Sequence, residues 1–190
     1  MTVPSFIRFS GLCLIFTGVL FISFAILYSI SSLKTMAAYV NLLGMLVLLL
    51  GIAGMYFRQM QILGKWGFIT FLIYFLGAGM WTGFGWSDVF VVPALEKHAP
   101  QLVNTLPEQM NMGLIISLFS FFGGMFLFNL LTAVKGILPR WAALLLVIVP
   151  FIDFIPIGNY LAQPLAGVSF IWLGYSLWKG TYKEEETRGN

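Results

Sequence analysis

From position 9 to position 30 the chain runs through phenylalanine, leucine, isoleucine and small residues without one charged side chain. A bilayer core is about 30 Å thick and takes about 20 apolar residues wound as a helix to cross. Five more apolar runs follow, at 38–57, 66–85, 112–134, 141–155 and 160–178. The fifth run is short and carries Pro150 and Asp153, and the sixth has Pro164 near its start. Strands of a membrane barrel would span about 9–11 residues and alternate apolar with polar positions. These runs are longer and do not alternate, so the expected fold class is all-α, a membrane-embedded six-helix bundle.

Composition agrees. The chain is 59% hydrophobic and 9% charged, with a mean hydropathy of +0.93, whereas soluble domains average about 25% charged residues. So few charges cannot cover a water-facing surface, and the main partner is the lipid bilayer. The net charge of +3 is small. No basic run with interleaved aromatics exists, so nucleic acid is not an expected partner. Residues 1–183 form a single transmembrane domain, and 184–190 a polar tail. The first run is too long for a signal-peptide core and lacks a small-residue cleavage site after it, so it reads as an uncleaved first helix. Cys13 is the only cysteine and lies inside that run, where it is an inert buried thiol without a lipobox before it.

Cation placement sets the orientation. With the N-terminus inside, eight cations face the cytoplasm (Arg8, Arg58, Lys65, Lys135, Arg140, Lys179, Lys183 and Arg188) and two, Lys34 and Lys97, face out. The positive-inside rule then puts both termini in the cytoplasm. Trp66, Trp86, Trp141 and Trp178 stand at run ends, where amphipathic rings favour the interface. A turn, a cation and a tryptophan recur at Gly64-Lys65-Trp66 and Pro139-Arg140-Trp141. A duplicated hairpin or the shared physics of an inner-face anchor would each produce this echo.

The one long polar interruption, residues 86–111, separates the two apolar halves. It holds the only histidine and three of the seven acidic residues. Val91, Leu95, Ala99 and Leu102 recur at helical spacing, which predicts a short outer amphipathic helix starting near Pro93 between helices 3 and 4. Thr105-Leu106-Pro107-Glu108 has capping-box spacing and would start the fourth helix near Leu106.

Asp88, at the end of the third helix, and Asp153, at the outer end of the fifth, are the candidate binding residues, with Glu96 and His98 as lesser members. An aspartate deep in a membrane helix costs about 2.5–3.5 kcal/mol on insertion scales, so a retained one invites a functional reading. Prolines on both sides of Asp153 free backbone carbonyls, as in the broken helices of transporter sites. The plainer reading is an aspartate wetted at the membrane surface or capping the turn toward Asn159. His98 with Glu96 or Asp88 has the composition of an acid–base pair or a pH sensor, or it is an ordinary interfacial histidine. No cluster at metal-ligand spacing surrounds it, so neither metal nor cofactor is expected. Ser117 and Ser120 have no nucleophile signature and read as bonded to a preceding carbonyl. Gly79 and Gly83 form a Gly-xxx-Gly pair beside Gly77 and Gly85, Ser120 and Gly124 a second small pair, and Gly44, Gly51 and Gly54 line the second helix. This spacing brings helices together within one bundle or in a homodimer. Asn41 and Asn129 are expected to bond to neighbouring helices.

Gly54-Met55-Tyr56-Phe57-Arg58-Gln59, Gly64, Gly67, Val92-Pro93-Ala94-Leu95, His98-Ala99-Pro100 and Leu138-Pro139-Arg140-Trp141-Ala142 together resemble small multi-pass inner-membrane proteins of bacteria that have no assigned activity. The resemblance runs from about residue 51 to 178 and implies a bacterial inner-membrane location and no catalytic residues. Two functions are expected to compete. One is non-enzymatic binding or transport of a small solute or ion through an outward-facing vestibule. The other is an accessory or immunity-type subunit that acts through a membrane partner protein. If the cation count governs insertion, tags at both chain ends react from the cytoplasm and a probe at position 98 reacts only from the opposite side. Labelling of right-side-out and inverted vesicles checks this.

Overall fold

The computed structural model describes residues 2–101, 108–135, 137–153, 155 and 158–180. These are helical with short connections, and no strand occurs among them. The helices are α1 (Val3–Tyr28), α2 (Lys34–Phe90), α3 (Val92–His98), α4 (Glu108–Lys135), α5 (Arg140–Asp153) and α6 (Gly158–Lys179), with a 3-10 turn over Ser31–Leu33 before α2. Three helical stretches, Val3–Tyr28, Ser31–His98 and Met110–Lys135, are long and apolar enough to cross a membrane. The chain is therefore a membrane protein, and its fold is all-α. Hydrocarbon offers backbone amides no hydrogen-bond partner, which is why spans of this composition close their bonds inside helices.

α2 is two arms rather than one rod. Gly64 interrupts it with φ 57° and ψ −145°, a conformation that lies outside the ordinary reach of side-chain-bearing residues. The arms fold back on each other: Tyr56 stacks on Phe71 with ring centroids 4.3 Å apart, and Tyr39 meets Phe90 at 5.8 Å near the other end. The break expected between the apolar runs 38–57 and 66–85 is thus corrected to a hinge at Gly64, with the helix continuing through Arg58-Gln59-Met60-Gln61. Arg, Gln and Met are good helix formers, and each further turn satisfies backbone groups that a loop would strand.

The elements pack as a ring: α1 against α2 and α6, the arms of α2 against each other, α4 against α2 and α5, and α5 against α6. α1 and α6 run antiparallel and close the ring through paired glycines. Gly11 lies opposite Gly174 and Gly18 opposite Gly167. A Cβ built on Gly11 would stand 2.6 Å from the Trp178 backbone nitrogen, and one on Gly174 would stand 2.5 Å from the Gly11 carbonyl. Gly124 and Gly77 bring α4 against the second arm of α2 in the same way, meeting the backbone at Tyr74 and Phe121. Gly79 and Gly83 do not act in this packing: a side chain at either would meet nothing within 4 Å.

The core holds Leu14, Leu48, Ile52, Met55, Tyr74, Phe128, Leu146, Phe170 and Leu173. The lateral surface is apolar as well, with Trp66, Phe119, Val134 and Trp141 among its exposed side chains, as suits a lipid-facing wall. Arg8, Arg58, Lys65, Lys135, Arg140 and Lys179 gather at one end of the bundle, the basic end, which holds the start of α1, the hinge and the end of α6. Lys34 and Lys97 lie at the opposite end. The short helix expected near Pro93 is present as α3, with proline in its first turn and no buried residue. Leu102, the Thr105–Glu108 cap apart from Glu108 itself, and the tail with Lys183 and Arg188 fall outside the described residues.

Two substitutions separate the seam from the outer wall. Gly174→Leu forces side-chain atoms into the α1 backbone and is expected to cost at least about 1–3 kcal/mol, as overpacking does. Gly79→Ala meets open space and is expected to be neutral or to stabilise by up to about 1 kcal/mol through helix propensity. Thermal unfolding of each variant in detergent reads the difference.

Candidate functional site

A narrow cavity opens between the helices in the half of the bundle away from the basic end. Its wall takes Phe21 from α1, Met45 and Trp81 from the two arms of α2, Met125 from α4, Asp153 from α5 and Gln163 from α6. Asp153 and Gln163 supply the only side-chain oxygens among the lining residues; the rest of the wall is aromatic, aliphatic or thioether. The volume open to the centre of a water-sized sphere is about 40 Å³, above the about 10–15 Å³ at which a cavity can hold a water. A bare or partly hydrated ion fits, and a bulky organic solute does not.

Local sequence explains why these two side chains meet there. α5 ends at Asp153, and the chain turns back at once through Ile155 to Gly158, with the Gly158 amide donating to the Ile155 carbonyl at 2.6 Å. A Cβ on Gly158 would collide with the Ile152 backbone, so the tight return depends on glycine. Pro150 lies inside α5 and Pro164 inside α6. Each lacks an amide hydrogen and so removes the helical bond to the carbonyl four residues earlier, Leu146 and Tyr160 respectively. Pro156 and Phe154 lie outside the described residues, as does the side chain of Asn159, so a cap from Asp153 toward it is not described. Gln163 Oε1 is buried and has no hydrogen-bond partner among the described residues. Sequence reading passed over Gln163; the available signal was an amide beside a proline one turn into an apolar helix.

The other candidates do not share this cavity. Asp88 lies in the last turn of α2 and lines a separate surface pocket of about 230 Å³ with Lys34, Thr35, Tyr39 and Pro93. A negative charge at a helix C-terminus is opposed by the helix dipole. Glu96 and His98 stand exposed on α3. The structure thus puts Asp153 with Gln163, and keeps Asp88, Glu96 and His98 outside their cavity on the same end of the bundle. No grouping of three or more His, Cys, Asp or Glu able to hold a metal occurs among the described residues.

The remaining buried polar groups mostly bond to their own helix. Ser117 Oγ donates to the Leu114 carbonyl at 2.8 Å, as expected from sequence. Asn129 Nδ2 donates to Met125 of its own helix at 2.8 Å, rather than to the neighbouring helix expected for it. Asn129 Oδ1 and Asn41 Oδ1 have no partner among the described residues. No known protein family, curated protein or solved structure matches this chain.

Proposed function

We propose that the protein crosses the bacterial inner membrane as a six-helix bundle and binds a small monovalent cation, the proton included, in an outward-facing vestibule at Asp153. The observation that carries this reading is the cavity itself. All the long packed elements contribute to its wall, and its two oxygen-bearing side chains are a carboxylate and an amide whose oxygen is unpartnered. An intramembrane carboxylate is expensive unless it is protonated, paired or wetted, and a cation beside it relieves that cost. The neutral Gln163 oxygen supplies a second ligand without adding charge. The carbonyl released by Pro164, at Tyr160, lies one turn from Gln163, and the one released by Pro150, at Leu146, two turns from Asp153, in the manner of discontinuous transporter helices.

Orientation supports the same reading. Gathering the cations at one end gives that end to the cytoplasm by the positive-inside rule, so the cavity half faces out. Asp88 and Glu96 add negative charge to the outer face, which favours cation approach. The small volume supports an ion over an organic solute. Membrane-embedded Asp153 holds the ion, and no chemistry on it is required, so the function is binding or passage rather than catalysis.

Purified protein is expected to melt higher as sodium or proton concentration rises at constant ionic strength. A ligand at one hundred times its dissociation constant adds about 2.7 kcal/mol. Asp153→Asn should abolish the shift. Equal shifts in parent and variant, or none in the parent with sodium, lithium, potassium and protons alike, would refute the reading.

A further inference from the structure

Four buried oxygens in the half of the bundle toward the basic end have no hydrogen-bond partner among the described residues: Ser10 Oγ, Tyr74 OH, Asn129 Oδ1 and Gln59 Oε1. All four side chains are fully buried, at 0% exposure. Ser10 packs against Gly54, and the other three sit on the helix stripes that form the cavity wall. Asn129 is one turn, about 6 Å, toward the basic end from cavity-lining Met125. Tyr74 is two turns, about 10 Å, below cavity-lining Trp81, with Ala78 between them. Gln59 closes the stripe Met45, Leu48, Ile52, Met55, whose first member lines the cavity, and lies about 8 Å from the hinge at the basic end. Three different segments thus present unsatisfied oxygens at descending levels toward the cytoplasmic end.

Their chemistry restricts what can sit among them. The amide nitrogens of Asn129 and Gln59 each donate one bond, to Met125 and Met55 of their own helices. The two amide oxygens can only accept, so the occupant must donate hydrogen bonds. A buried unpaired amide costs several kcal/mol in an apolar medium, and buried polar groups of folded proteins are satisfied by protein or ordered water. No anionic side chain stands at these three positions to hold a bare metal cation. A water meets every requirement: it is small, donates twice, and passes protons to its neighbours.

We propose that ordered waters at Tyr74, Asn129 and Gln59 extend the Asp153 cavity toward the cytoplasm and form a proton relay along the bundle axis. The inference rests on Asp153 being the outer binding group and goes beyond it, naming the ion and its route. A proton taken up at Asp153 moves inward by exchange along the waters, one entering at the outer end as one leaves at the basic end. Tyr74 OH, able both to donate and to accept, joins the upper waters to the lower ones. No side chain changes its net protonation over a cycle.

The experiment uses full-length protein in vesicles loaded with a pH-sensitive dye, with a potassium diffusion potential driving protons inward. The parent should acidify the lumen at least tenfold faster than protein-free vesicles. Asn129→Leu and Gln59→Leu should each cut that rate tenfold or more while keeping the Asp153-dependent melting shift, because they leave the outer cavity intact. Parent-like flux in both variants, or parent flux no faster than empty vesicles, overturns the relay even where the melting shift stands. Loss of the shift in the parent instead sinks the Asp153 reading. Millisecond radiolytic labelling of the parent in oxygen-18 water is independent of any variant's folding. Tyr74 and Met55 should take up label ahead of lipid-facing Met80, and slower or equal uptake overturns the proposal.

Discussion

Backbone contact between the first and last helices is the constraint on which the architecture turns. Two helices in lipid gain nothing from burying apolar surface, because the tails around them are as apolar as leucine. What holds them is van der Waals contact and the hydrogen bonds they can share, and both grow as the axes approach. Gly11, Gly18, Gly167 and Gly174 remove the side chains that would keep α1 and α6 apart. That seam closes the ring. A ring that fails to close leaves Asp153 and Gln163 facing lipid, and the enclosed oxygens above and below lose the wall that keeps lipid tails out.

The two kinds of surface follow from that closure. Outward-facing positions are occupied by Phe, Leu, Trp and Met with little regard to shape, since fluid lipid adapts to any contour. Inward-facing positions are selected for fit, and Tyr74, Phe121 and Phe128 interlock at ring separations of about 6 Å. Most buried polar side chains among the described residues bond to a carbonyl of their own helix: Thr70 to Trp66, Thr82 to Ala78, Thr132 to Phe128. Such local bonds satisfy a hydroxyl without linking helices. Six buried side-chain oxygens, Asn41 Oδ1 and Gln163 Oε1 among them, are left without a partner among the described residues after these bonds.

Much of this was legible in the residues alone. Uncharged runs of membrane length mark the helices, cations mark one end, Pro93 marks the start of α3, and Asp153 stands out because a charge among apolar neighbours is conspicuous. Three features were hidden for physical reasons. The glycine seam joins residues at opposite ends of the chain, and Gly-x6-Gly spacing on each helix is less distinctive than the Gly79–Gly83 pair, which the fold leaves facing outward. The hinge was obscured because Arg58 and Lys65 make residues 58–65 look like a polar turn, while only Gly64 departs from helical geometry. Gln59, Tyr74 and Gln163 carry no charge, so a hydropathy reading passes over them. What sets them apart is the oxygen each leaves without a partner among the described residues, a property of three-dimensional packing.

The single-residue hinge also limits how far the two arms of α2 can part. A connection of one glycine leaves no loop to lengthen or shorten, so the stacking of Tyr56 on Phe71 next to it is fixed almost as tightly as a contact within one helix. A substitution at Gly64 therefore acts on two arms at once, because the backbone angle that only glycine adopts easily there sets the angle between them.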